Sequence, residues 1–199
     1  VNAYFSSCIT TTLENPYSNE DRSDEILLVD PLLKIADKDY REYVAHRMVP
    51  EKYRDNVFHL SHHLDPNIDY SEKEKIELAE ALLDRYAKAK LVITSRIHVA
   101  LPCLGLGTPV LFVDVGYDMK NGYERFDGIY QFFNVISADN FPVPSQGAIH
   151  RLLRKLKVHR LLPMKQLSID FDSPRPNKEI HQQYADELRL RVNGWLEGL

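Results

Sequence analysis

Arg96 and His98 are the residues of this chain best placed to do chemistry. They stand one residue apart, immediately after the apolar β-branched run Leu91 to Thr94 and directly behind Ser95. A short strand followed by a helix whose start carries Thr94 and Ser95 as capping residues predicts a strand-to-helix turn here. Backbone N–H groups at a helix start lack partners and the helix dipole is positive there, so that end attracts an anion and repels a further cation. An arginine in the first turn therefore implies a negative partner, either a ligand or an acidic side chain. Lys120 repeats the pattern, in a loop after the next strand and ahead of a run of aromatic residues. Neighbouring strands would bring it within reach of Arg96 and His98. The bland alternatives are an Arg96 turned toward an acidic neighbour, a buried hydrogen-bonded His98 and a solvated Lys120.

Other groups are weaker. His59, His62, His63 and Asp65 offer ligands of the right kind for zinc, but their spacing fits no compact zinc motif. His62 and His63 follow a strand and either line the same cleft as Arg96 or stand in solvent. Cys8 has no neighbouring cation in sequence to lower its pKa, which favours a structural thiol. The basic run from Arg151 to Arg160 lies opposite an apolar stripe and reads as a solvated helix face. Neither a G-x-G-x-x-G nor a Walker-type loop occurs.

The elements that position these residues follow from apolar periodicity. Ile26 to Asp30 is a continuous apolar run ending at Asp30-Pro31, with a helix expected from there to about Met48. A second strand is expected at Val57 to His59. Ser71 and Glu74 form a capping box ahead of a helix over 71–89, with Ile76, Ala79, Leu83 and Tyr86 on one face. Leu91 to Thr94, a helix closed by Gly105 and Gly107, and Thr108 to Val115 make a βαβ unit. Pro102 is expected to disturb that helix. An aromatic-faced helix over Tyr123 to Phe133, a strand at Asn134 to Ser137, a helix over 147–157 and a last helix striped by Ile180, Tyr184, Leu188, Val192, Trp195 and Leu199 complete the pattern. The alternation predicts an α/β fold, a Rossmann-like open parallel sheet of four or five strands with helices on both faces.

Length and composition fit this reading. The 199 residues, 44% hydrophobic and 27% charged, suit one soluble domain with at most an appendage. The boundaries read as 1–25, a remnant of a preceding domain and linker; 26–176, the Rossmann-like domain; and 177–199, a C-terminal helix. A net charge of −4 gives no general attraction to nucleic acid or anionic membrane. Two distant cysteines argue for a reducing, cytoplasmic setting. No apolar run approaches the ~18 residues that a transmembrane helix needs. Beginning at Val1 rather than Met, the chain reads as a fragment or a processed product.

The stretch LVITSRIHVALPCLGLGTPVLFVDVGYDMKNGY resembles the C-terminal half of the polysaccharide pyruvyl transferases. That family is marked by an apolar strand, R-x-H-A, a small apolar helix, G-T-P, another strand, and a lysine before a glycine and an aromatic residue. Arg96, His98, Gly107, Thr108, Pro109, Lys120 and Gly122 fall in register. The N-terminal SSCITTTL is similar to the family's S-x-C-L-T-L-T-L segment through Ser6, Cys8, Thr10, Thr12 and Leu13. Val99 in place of Ala, Thr11 in place of an apolar residue, and Pro102 depart from the pattern.

The resemblance implies the second half of a two-domain, GT-B-like glycosyltransferase architecture, plus the end of the first half. It implies transfer of pyruvyl from phosphoenolpyruvate to a glycan or lipid-linked saccharide as a ketal, in exopolysaccharide or cell-envelope synthesis. No metal or organic cofactor would be needed, phosphoenolpyruvate being the donor substrate. His98 would be the catalytic acid and base. Arg96, Lys120, Ser95, Ser6, Thr10 and His62 would bind substrate. A nucleotide-sugar glycosyltransferase of the same architecture and a non-catalytic half acting as a binding module are the competing readings.

Overall fold

The computed structural model describes residues 7–18, 21–33, 38–114, 128–137 and 167–198. Five strands, β1 (Ile26–Val29), β2 (Val57–Leu60), β3 (Leu91–Thr94), β4 (Val110–Asp114) and β5 (Asn134–Ser137), form one sheet in the order β2-β1-β3-β4-β5. Every adjacent pair is parallel. The Rossmann-like α/β class expected from the pattern is the class observed.

β1 and β3 are buried at every position because both faces of the sheet are covered. Alternate residues serve opposite cores. Ile26, Leu28, Leu91 and Ile93 join Val44, Ala45 and Met48 of α1 (Lys38–Met48), whereas Leu27, Val29 and Val92 join Tyr86, Val99, Ala100 and Leu104 on the other face. That second face carries α2 (Glu72–Lys88) and α3 (Ile97–Gly105), with Tyr184 of α4 (Ile180–Glu197) packed against it.

Several expectations are corrected. The helix after β1 is found at Lys38–Met48 rather than directly behind Pro31, and residues 34–37 lie outside the described set. The Ser71 capping box is present and α2 has the expected span, yet Ile76 on its presumed buried face is 59% exposed. The cause is length: seventeen helical residues rise about 25 Å, twice the roughly 13 Å of a four-residue strand, so the first half of α2 overhangs the sheet. α4 overhangs in the same way. Its buried positions are His181 and Ala185, while Val192 and Trp195 of the expected stripe face solvent.

Of the helix expected over Tyr123 to Phe133, residues 123–127 lie outside the described set, and in the remainder Tyr130–Phe132 form one 3₁₀ turn behind Gly128, whose φ of +79° is not helical. The helix expected over 147–157 lies outside the described residues. Pro102 does not interrupt α3, which continues to Gly105.

The two glycines that follow Pro102 have different duties. Gly107 is left-handed, at φ +65°, and ends α3. Gly105 is helical, and a Cβ there would come within 2.7 Å of the Thr10 carbonyl oxygen. Its role is close approach, letting the 3₁₀ turn Ile9–Thr12 lie on the end of α3. Within the segment 1–25, Asn15 donates to the carbonyls of Ala87 and Leu106, and Glu25 pairs with Arg85 at 3.0 Å.

Candidate active site

In open parallel sheets ligands bind beyond the carboxyl ends of the strands, where the strand order reverses. Here the reversal lies between β1 and β3, since β2 adds on one side of β1 and β3 on the other. Two residues stand at that point: Asp30 ends β1, and Ser95 with Arg96 follows β3.

Asp30 organises the neighbourhood. It is 5% exposed and its φ is +46°, a left-handed conformation uncommon for a residue with a Cβ. Its N–H donates to the Leu60 carbonyl and its carbonyl accepts from the Ser95 hydroxyl at 2.7 Å, so its backbone joins the ends of β2 and β3. Its Oδ2 accepts from the Ser61 hydroxyl and the His62 N–H, both at 3.2 Å, and from Arg96 Nε at 2.5 Å.

Arg96 is the cap residue of α3 rather than its first helical residue, and its N–H donates to the Thr94 hydroxyl oxygen. It does turn toward an acidic neighbour, Asp30. Its Nη2 also meets His63 Nε2 at 2.5 Å. A guanidinium only donates, so His63 Nε2 accepts in this bond. Of five guanidinium N–H groups two are engaged by described residues, and the side chain remains 22% exposed. The anion expected from the helix start is thus supplied partly by the protein, with hydrogen-bonding capacity left over.

His98 is exposed, not buried. It bears electrostatically on His62. His62 is half-buried, with Nε2 2.6 Å from the Tyr86 hydroxyl. Tyr86 is a core residue of α2 at 1% exposure, and burial pushes its phenol well above the usual range, so it stays protonated. Helical side chains lean toward the helix N-terminus, and this carries its hydroxyl from α2 toward the carboxyl edge of the sheet. A cleft of about 500 Å³ opens beside the cluster, lined by Asp30, Lys38, Arg41, His59 and His63 among others. That volume suits a small ligand. A larger cavity of about 1020 Å³, against β4, β5 and residues 167–178, shares none of these residues. It adjoins stretches outside the described residues, and its titratable lining groups are Tyr130, Asp170, Arg175 and Lys178.

The structure thus brings together Arg96, His98, His62 and Ser95. Ser95 is a strut: its hydroxyl hydrogen is committed to the Asp30 carbonyl. Thr10 is not part of the cluster. It lies on Gly105, and nine helical residues, about 13 Å of rise, separate that point from Arg96. Ser6 and Lys120 lie outside the described residues. His59 stacks on His46 instead of joining His62 and His63, and no group of three metal ligands forms among the described residues. Asp30 and Tyr86 were missed from sequence as site residues. A carboxylate ending a fully apolar strand was a signal for the first; for the second there was none.

The model of the polysaccharide pyruvyl transferase family matches residues 1–117, well over half of the chain, and takes in β1 to β4 with the whole Asp30, His62, Arg96 and His98 cluster. The chain belongs to the polysaccharide pyruvyl transferase family. Comparison with the curated proteins and with the solved structures gave no match. A polysaccharide pyruvyl transferase is a transferase with a saccharide acceptor, and the match ends just short of Lys120. Among the described residues no helix is long and apolar enough to cross a membrane.

The stability of the fold has a pH signature. Burial holds the imidazoles of His46, His59 and His62 below their ordinary value of 6.5, with cationic neighbours adding to the effect: Arg54 and Arg47 at His46, and Arg96 at His62. The unfolded chain therefore takes up protons first as pH falls through 6.5, and stability declines from there down to the native values. Thermal denaturation from about pH 7.5 to about pH 5 is expected to show a falling Tm. The fall should be shallower when His46, His59 and His62 are replaced together by asparagine or glutamine.

Proposed function

We propose that this chain provides the donor site of a pyruvyl transferase acting on phosphoenolpyruvate and a saccharide, and forms a ketal. The observation that carries the reading is the exposed His98 imidazole at the start of α3, beside an Arg96 whose Nη1 makes no hydrogen bond among the described residues, at the switch point of the sheet.

The donor carries a phosphate and a carboxylate. Arg96, the N–H groups that open α3 and Lys120 would hold them, with His62 as a further contact. An imidazole can serve as both acid and base in such a transfer. Protonated His98 would give its proton to the methylene carbon of phosphoenolpyruvate, the double-bond electrons forming the new C–H bond. A sugar hydroxyl adds to the adjacent carbon and returns its proton to His98. The C–O bond to phosphate then breaks, phosphate leaving with the electron pair. A second hydroxyl closes the ketal, its proton balancing the released phosphate. Nothing is oxidised or reduced, and the scheme calls on no metal or organic cofactor.

The test is a titration of phosphoenolpyruvate and several nucleotide sugars against the thermal stability of the protein. A rise in Tm with phosphoenolpyruvate alone supports the proposal. A rise with a nucleotide sugar alone would transfer the site to a glycosyltransferase, and a response to neither would favour a binding module.

A further inference from the structure

We infer that Asp30 is the positioning residue of this site, setting the direction of the Arg96 guanidinium and thereby the place of the donor. The inference rests on the donor reading above. Three observations lead to it. The Asp30 carboxylate is nearly fully buried, yet its cationic partner is not: the side-chain exposures are 4% and 22%. One carboxylate oxygen collects groups from two chain segments, the Ser61–His62 turn and Arg96. Its backbone is held in the left-handed region between β2 and β3, a conformation that costs energy for a residue with a Cβ and recurs at functional sites.

A carboxylate placed only to neutralise Arg96 would need neither the left-handed backbone nor the bonds to the following turn. Together they set one edge of the guanidinium, Nε, against Asp30, while Nη2 is steadied by His63. The remaining edge, with Nη1, has no partner among the described residues and is available to an anion. Arg96 is therefore a pre-aimed fork, because its planar geometry transmits the constraint at Nε to Nη1. The same carboxylate fixes the His62 backbone, so the His62 imidazole is placed by the same group.

Two variants separate this role from a merely structural one. Asp30→Asn keeps an oxygen acceptor and a residue tolerant of left-handed backbone; Asp30→Gly relieves the backbone strain and removes the carboxylate. Both should fold. In steady-state pyruvyl transfer each is expected to raise the KM for phosphoenolpyruvate about tenfold or more, while the KM for the acceptor stays within about twofold. A structural role alone would lower the active fraction and leave both KM values unchanged, and that result would overturn the inference.

A second readout needs no substrate: the Arg96 Nε–H resonance in ¹⁵N NMR. It should be protected from exchange in the unsubstituted protein and lose that protection in Asp30→Gly, which has no side-chain acceptor; equal protection in these two proteins would also overturn the inference. If the unsubstituted protein fails to bind phosphoenolpyruvate, the donor reading fails, and the NMR comparison still decides the role of Asp30.

Discussion

Replacing His98 by alanine is expected to lower the rate of pyruvyl transfer by about 10²- to 10⁴-fold, the usual worth of a positioned acid and base. The fold should barely respond. His98 is exposed and makes no hydrogen bond to a described residue, so truncating it empties no core position. Its helix is held by Val99, Ala100, Leu101 and Leu104, all buried. A thermal melt within a degree or two of the unsubstituted protein, beside a collapsed kcat, is the expected pair of results. Affinity for phosphoenolpyruvate should change little, because the charges that hold the donor lie on other groups. Unimpaired transfer by His98→Ala would remove it from the chemistry.

Arg96→Ala should cost both binding and stability. Removing the guanidinium takes away the charged contacts proposed for the donor, and affinity for phosphoenolpyruvate should weaken about 10²-fold or more. It also strands the Asp30 carboxylate, 4% exposed, with only the Ser61 hydroxyl and the His62 N–H as partners. Breaking a buried pair from one side costs about 3–5 kcal/mol. The partial exposure of Arg96 and the two surviving bonds point to the lower end of that range. Arg96→Lys separates the effects. A lysine keeps the charge near Asp30 and should recover part of the stability, but it cannot donate to Asp30 and to an anion along two edges of one plane. Calorimetric titration and denaturant melts on the two variants measure the two losses independently.

How much of this was legible in the sequence depended on burial. The runs ILLV, LVIT and VLFVD are apolar throughout because their strands are covered on both faces, and that continuity marked them as strands of a parallel sheet. VFHL in β2 is an edge strand, with Phe58 38% exposed, and its mixed composition made it a weaker signal. Which side of β1 it joins is a matter of pairing between distant segments, and no local pattern encodes it. The switch point between Asp30 and Ser95 was therefore invisible, although the address of Arg96 beyond the end of β3 was not.

Asp30 shows the limit most clearly. Beside Pro31 it reads as a helix cap, yet its bonds run to residues 61, 62, 95 and 96. Tyr86 reads equally well as one more apolar residue on a helical stripe, and the stripe is right as far as it goes: the ring is core. Only the end of the side chain, 2.6 Å from His62, belongs to the site. Ser95 was expected at the helix start that holds the donor's anionic groups; its hydroxyl donates to the Asp30 carbonyl. Polar residues close to the correct address were identified, while the partners that use them come from elsewhere in the chain.

The central claim is that the pyruvyl donor sits over the start of α3, and a crystal structure of the protein with phosphoenolpyruvate bound tests it most directly. The account predicts the phosphate or carboxylate within hydrogen-bonding distance of Arg96 Nη1 and the N–H groups that open α3, with the methylene carbon facing His98. Phosphoenolpyruvate bound elsewhere on the molecule, with Arg96 still turned wholly to Asp30 and His63, would contradict it.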